Sequence, residues 1–267
     1  MESATYTHGH HPSVLRAHTW RTARNSVAFV LPHVQPAMRI LDLGCGPGSI
    51  TVDLAAYVPS GHITGVDAVG SVLEQARALA QSRGVRNITF TTGDANALPF
   101  ADGAFDLVLV HQMLQHVADP VAILREMKRV TQRGGLVAVR EADFGGFIFH
   151  PRSAPLDRWM ELYAAVARRN GGEPHAGRRL HVWARQAGLT DVACSSSTWC
   201  YATRDEIQWW SGLWAERTVA SSLAQTAEAH GLASADELAE LSAGWEAWGE
   251  EEEAWFSCLH GEIICRV

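Results

Sequence analysis

The sequence predicts an α/β protein built on a largely parallel sheet, and three observations predict it. Short apolar strands alternate with helical segments from about residue 37 to about 145. A glycine-rich turn follows the first of those strands, and acidic residues close the next two.

The strands are expected at 39–43, 62–66, 88–91, 105–110 and 136–139, and their near-continuous apolar character suits a parallel sheet buried on both faces. The segment 119–131 carries the signals of a crossover helix. Asp119 can cap it, Pro120 suits its first turn, Ile123, Met127 and Val130 recur at helical spacing, and Gly134 follows as a stop. Ahead of the sheet, residues 13–31 read as an amphipathic helix ended by Pro32. Beyond it, helices are expected at 156–167 and 178–187, a strand at 192–201, a helical segment over 203–253 and a final strand near 262–267. Six of the ten tryptophans fall between Trp209 and Trp255. They suit a cap packed over a pocket, or equally a tryptophan-rich core or dimer surface.

Composition narrows the class. With 22 Lys and Arg against 29 Asp and Glu the formal charge is −7, and no basic run exists, which argues against a nucleic acid partner. The acidic run 250–253 reads as a solvated helix face. The opening MESATYTHGHH has no apolar core of a secretory signal, and no stretch approaches the ~18 apolar residues of a membrane span. A cytoplasmic protein with no membrane partner is expected. The five cysteines lack zinc-like spacing and read as reduced thiols. His8, His10 and His11 have no carboxylate or cysteine at a fixed distance, so no metal is expected.

The chemistry is concentrated in Ile40-Leu41-Asp42-Leu43-Gly44-Cys45-Gly46-Pro47-Gly48-Ser49. Glycines after a first strand allow positive φ and let a ligand approach the backbone at the carboxyl edge of the sheet. The third glycine comes one residue earlier than in G-x-G-x-x-G, so the turn suits a ligand that need not carry a pyrophosphate, and a nicotinamide-dependent dehydrogenase is disfavoured. Asp67 ends the second strand, 25 positions after Asp42, where a carboxylate can accept from both hydroxyls of a ribose. Asp94 ends the third strand, placed to accept from an adenine amine, with Ala95 offering its amide to the ring. In this order, at strand ends, the acids favour an adenosine-containing ligand.

On these stretches, together with Gly93-Asp94-Ala95-Asn96-Ala97-Leu98-Pro99-Phe100 and Phe105-Asp106-Leu107-Val108 through His116, residues 37–145 resemble the class I S-adenosylmethionine-dependent methyltransferases. They are particularly similar to the ubiquinone/menaquinone-biosynthesis group. The resemblance implies a Rossmann-like seven-stranded sheet with N-terminal helices and a helical cap inserted before the last strand. The implied division is an arm and helix over 1–36, a core over 37–202 with a helical insertion near 150–175, a cap over 203–253 and a returning strand over 254–267. It further implies that Gly44, Gly46 and Gly48, with Asp42 and Cys45, shape the methionine side of the cofactor pocket. Asp67 and Ala68 then bind ribose, Asp94 and Ala95 hold adenine, and His111 and Gln112 face the cofactor. The N-terminal arm either folds over the cofactor, with Tyr6 closing the pocket and Arg21 facing the cofactor carboxylate, or is a plain surface arm and helix.

The function expected is methyl transfer from S-adenosylmethionine to oxygen, nitrogen or carbon of a small-molecule metabolite, such as a natural product under tailoring. The alternative is a protein of this fold that binds the cofactor but catalyses another reaction or serves as a binding module. A base is needed only if the acceptor must lose a proton. His111, His116 and Glu141 are the candidates, each with a structural alternative: a pocket wall, local packing and a loop anchor, respectively. A homodimer is a further expectation.

Overall fold

The computed structural model describes Thr7, His18 and residues 20–267. Among the described residues a short helix α1 (Ala23–Ser26) is followed by an alternation: β1 (Arg39–Leu43), α2 (Ser49–Leu54), β2 (His62–Asp67), α3 (Gly70–Ser82), β3 (Ile88–Thr92). β4 (Phe105–His111), α4 (Pro120–Val130) and β5 (Thr131–Ala142) complete the parallel half. There follow β6 (Ile148–His150), α5 (Ala154–Arg169), α6 (Leu180–Gln186) and β7 (Asp191–Tyr201). Three helices, α7 (Arg204–Ala220), α8 (Ser222–Ala229) and α9 (Ala235–Gly249), precede the last strand, β8 (Trp255–Arg266). No helix among the described residues is long and apolar enough to cross a membrane.

The strands lie in the order β3-β2-β1-β4-β5-β8, parallel as far as β5, with β8 antiparallel to β5. β7 pairs with the other edge of β8 along 256–266. The expected seven positions are thus present, and an eighth strand is a correction to that count. β6 pairs residues 255–257 of β8 on the edge that β5 uses at 260–266, so it prolongs the line of β5 after a break at 143–147.

Two-sided burial explains the near-continuous apolar strands. Leu41, Leu43, Val108, Val110, Val137 and Val139 face α4 and α6, while Ile40, Ile63, Leu107, Leu109 and Ala138 face α2 and residues 23–30. The cap at α4 forms as expected, with Asp119 accepting from the Ala122 amide at 2.9 Å. Across the sheet, perpendicular to the strands, runs one polar row. His111 of β4 is register partner to Arg140 of β5, Arg140 to Glu262 of β8, and Glu262 to Ser195 of β7. Arg140 and Glu262 pair at 3.3 Å, and Ser195 and Ser197 complete the carboxylate's bonds. With three hydrogen bonds on the carboxylate the pair offsets much of its desolvation cost, and breaking it by removing one partner would leave a buried charge unpaired.

Two expectations are corrected in the described residues. The helix over 13–31 is not continuous: Thr22 is extended (φ −130°, ψ 166°) and caps the four-residue α1, and residues 31–33 form a separate 3-10 turn. The acidic run 250–253 is a turn after α9, not a helix face, with Glu250 paired to Arg204. The tryptophan-rich helices pack with α5 in one buried cluster containing Trp159, Trp210, Trp214, Trp245 and Trp248. Both readings of the tryptophans hold in part, because Trp245 is core whereas Trp209, Trp210 and Trp214 also line a pocket.

The backbones at Gly177 and Gly261 touch, and a Cβ on Gly261 would overlap the Gly177 carbonyl. Gly261→Ala is therefore expected to cost about 2 kcal/mol by overpacking. The reading is a lower urea midpoint at unchanged slope; an unchanged midpoint would mean that the two segments part freely.

Candidate active site

At the carboxyl ends of β1, β2 and β4 opens a cleft of about 900 Å³. Its floor is the turn after β1, where Gly44 and Gly46 stand at φ 74° and 54°, a region side chains avoid. The Gly44 and Cys45 amides both donate to the Val66 carbonyl, and a Cβ on Gly44 would stand 2.7 Å from Met113 Sδ. Gly48 departs from its expected role. It does not line the cleft; a Cβ there would meet Ala76 of α3 at 2.8 Å, so Gly48 serves helix packing.

Asp67 lines the cleft and organises its rim. Its Oδ2 accepts from the Gly46 amide and its Oδ1 from the Val69 amide, both at 3.0 Å. Each oxygen keeps a further lone pair for a ligand. Asp42 lies buried beneath the turn with Thr51 Oγ1 donating to it at 2.7 Å. Burial pushes its carboxyl up to about 6 despite that bond. Burial also raises the Cys45 thiol, leaving it neutral at physiological pH. Asp94, exposed at the far end of the cleft, takes the Asn96 amide and side chain at 2.9 Å, which holds its carboxyl below the usual range. Ala68 and Ala95 line the same wall.

A second cavity of about 40 Å³ adjoins the cleft beside the polar row. Trp20, Trp199, Tyr201, Trp209, Trp210 and Trp214 wall it, and His18, Arg21, Gln112 and His116 line both spaces. Gln112 is the one non-glycine residue with positive φ (53°) among the described residues. Its side chain sits in a directional chain: Arg21 Nη2 donates to Gln112 Oε1 at 2.6 Å, and Gln112 Nε2 donates to His260 Nε2 at 2.7 Å. His260 Nδ1 donates to the Cys258 carbonyl at 2.9 Å. Because a guanidinium only donates and a carbonyl only accepts, the network assigns the neutral Nδ1–H tautomer to His260.

The catalytic candidates divide. Glu141 is a loop anchor: its carboxylate accepts from the Met113, Leu114 and Gln115 amides at 2.9, 2.7 and 3.2 Å, and it lines neither space. Burial raises it to about 7. Asp143 likewise binds Arg178 with both oxygens. His111 lines the cleft, but Arg140 Nη1 faces its Nε2 at 3.0 Å, and burial, then Arg21 and Arg140, hold its pKa well below 6.5. His116 lines both spaces and is lowered by burial to about 3. In both histidines burial favours the neutral ring. Arg21 meets Gln112 at the junction, while Tyr6, His8, His10 and His11 lie outside the described residues.

Sequence reasoning missed His260, Trp199 and Tyr201. Trp199 and Tyr201 alternate onto one face of β7, a signal that was present. His260 escaped because the expected last strand began at 262, whereas β8 begins at Trp255.

A methyltransferase domain family model matches residues 35–188. An uncharacterized methyltransferase of Schizosaccharomyces pombe is 34% identical over 97% of this chain and 95% of its own. A demethylmenaquinone methyltransferase of Lactococcus lactis is 38% identical over 47% of this chain and 48% of its own. Among solved structures, phosphoethanolamine N-methyltransferase 2 of Haemonchus contortus, in complex with S-adenosyl-L-methionine, superposes with a TM-score of 0.54 at 16% identity, covering 90% of this chain and 51% of that one. The chain belongs to the methyltransferase domain family and is an S-adenosylmethionine-dependent methyltransferase.

Proposed function

We propose that the protein methylates a small molecule whose reacting end enters the aromatic pocket while the cofactor occupies the adjoining cleft. The observation that carries this reading is that Gln112, Arg21 and His116 line both spaces, so a donor in one and an acceptor in the other meet there.

The residues of the cleft fit the cofactor. The turn 44–47 offers close backbone approach where a Cβ on Gly44 would collide, and suits the methionine moiety. The two lone pairs left on Asp67 suit ribose hydroxyls, and Ala95 with Asp94 suits the adenine edge. Arg21 is a cation at the rim for the cofactor carboxylate. When bound, the cofactor supplies an electrophilic methyl group on a sulfonium. The chain's contribution is orientation and a water-poor junction. The Gln112 chain, anchored through His260 to the Cys258 carbonyl, holds that junction in one geometry. The pocket's 40 Å³ is smaller than the ~150 Å³ known to hold benzene. A ring therefore enters by displacing Trp20, the outermost wall, which is 36% exposed and rests edge-on against Trp199.

Thermal unfolding with S-adenosylmethionine, S-adenosylhomocysteine and NAD, each in excess, tests the cofactor assignment. The adenosyl ligands are expected to raise the midpoint and NAD to leave it unchanged. A metabolite screen that reads S-adenosylhomocysteine formation then tests transfer itself. Binding without turnover across that screen would favour a cofactor-binding role without methylation.

A further inference from the structure

Gln112 occupies a place that its own backbone disfavours. Its φ of 53° lies in the left-handed region, which costs a non-glycine residue conformational energy unless the surroundings hold it there. Its backbone N–H donates to the Arg140 carbonyl at 2.8 Å, which pins the chain where β4 ends. The neighbouring Met113 lies against Gly44, so Gln112 stands at the glycine-turn end of the cleft. A glutamine side chain is long and rich in rotamers, so its direction at the junction must come from its partners. Arg21 Nη2 holds the amide oxygen at 2.6 Å and His260 Nε2 holds the amide nitrogen at 2.7 Å. His260 is fully buried, does not line the cleft, and packs against Trp199 at 4.5 Å between ring centroids. Its Nδ1–H is spent on the carbonyl of Cys258, two residues back in β8, so its Nε2 keeps a lone pair and can only accept. The chain of bonds therefore runs one way. A donor at Nε2 would face the Gln112 amide nitrogen, and turning that amide would set its nitrogen against the Arg21 guanidinium, donor against donor.

We propose that His260 is a positioning residue of the cofactor site: from the wall of the aromatic pocket, and through Gln112, it sets the grip on the methionine part of S-adenosylmethionine and leaves the adenosine part untouched. This rests on the placing of the cofactor given above. The ring does not meet the ligand itself; it fixes which end of the Gln112 amide is turned to the junction. The groups assigned to the adenosine part, Asp67 and Asp94, are bonded to Gly46, Val69 and Asn96, outside the chain of Arg21, Gln112 and His260. A change at position 260 that acts through Gln112 therefore reaches one half of the cofactor, whereas a general loosening of the fold reaches both.

Two substitutions separate the two bonds of the ring. In His260→Gln the longer amide can present its oxygen to Gln112 where Nε2 stood. In His260→Asn the shorter amide can serve the Cys258 carbonyl but does not reach Gln112. Calorimetric titration with S-adenosylhomocysteine, and with methylthioadenosine, which lacks the amino acid part, reads the difference. His260→Asn is expected to weaken S-adenosylhomocysteine about fivefold. It is expected to change methylthioadenosine by less than about twofold, and His260→Gln to keep both ligands within about twofold of wild type. In a Gln112→Met protein, His260→Asn is expected to have no further effect on S-adenosylhomocysteine. Equal weakening of the two ligands, equal effects of the two substitutions, or an undiminished effect in the Gln112→Met protein would overturn the proposal. Wild-type protein gives a readout that needs no substitution: the imidazole nitrogen shifts of His260, assigned through its own backbone resonances. A neutral ring with its proton on Nδ1 is expected, and a proton on Nε2 would overturn the proposal. Failure of S-adenosylhomocysteine to bind wild-type protein would overturn the cofactor assignment and this proposal with it, whereas the other adverse outcomes overturn the proposal alone.

Discussion

Asp67→Ala is expected to weaken S-adenosylmethionine binding about a thousandfold. The carboxylate supports the Gly46 and Val69 amides and keeps one lone pair on each oxygen for the ligand. Hydrogen bonds to a charged group are worth about 1.5–3 kcal/mol each, so losing two removes about 4 kcal/mol, or three decades in Kd. Asp67→Asn retains one acceptor but turns an amide toward an amide, and an intermediate loss of about fiftyfold is expected. Calorimetric titration reads both. An Asp67→Ala protein that bound within threefold of wild type would remove Asp67 from the cofactor site.

Acid sensitivity is the second large effect, and opposing groups set it. His111, His116 and His260 are all depressed by burial, so each stays neutral in the fold while its unfolded counterpart takes a proton below about pH 6.5. Their stabilising contribution is full above that pH and is lost as pH falls toward the folded values. Asp42 and Glu141 act the other way. With folded values of about 6 and about 7 against 3.8 and 4.5, they hold protons in the fold that the unfolded chain has released. Their contribution is present at low pH and is lost as pH rises through the folded values. Near pH 5 the three histidines outnumber the two carboxyls that oppose them. Stability is therefore expected to fall on acidification between pH 6 and 5. Asp42→Asn removes one opposing carboxyl and is expected to steepen that fall, whereas His116→Gln is expected to make it shallower. Urea midpoints at the two pH values measure all three slopes. A flat wild-type profile would show that the buried histidines are not held neutral.

The parallel half of the sheet was legible because its signals are local. The expected 39–43 strand coincides with β1, and the glycine turn announces itself through residues that only an unusual backbone requires. The helix expected over 13–31 failed for an equally local reason that the apolar spacing concealed. The capping box of Thr22 and Asn25 begins a helix at Ala23 and so forbids one running through it. Val27 and Val30 still bury fully, but from a turn against the sheet and not from a helical stripe. Glu141 was ambiguous in principle. An acid just beyond a central strand fits a base and a loop anchor equally, and only the three amides converging on it decide. The site's second half was hidden because it is assembled across sequence separations above 100 residues, as in the Gln112–His260 bond.

β8 follows β5, β6 and β7 in the chain, yet it lies inside the sheet and is the sole partner of both β6 and β7 among the described residues. During synthesis, β5 and β7 must wait with unpaired edges until residues 255–266 have left the ribosome. Two open edges on a nascent sheet are templates for intermolecular pairing. The protein's most aggregation-prone state is therefore the one in which β8 has not yet docked, and the aromatic pocket, which needs Cys258 and His260, forms only when it does.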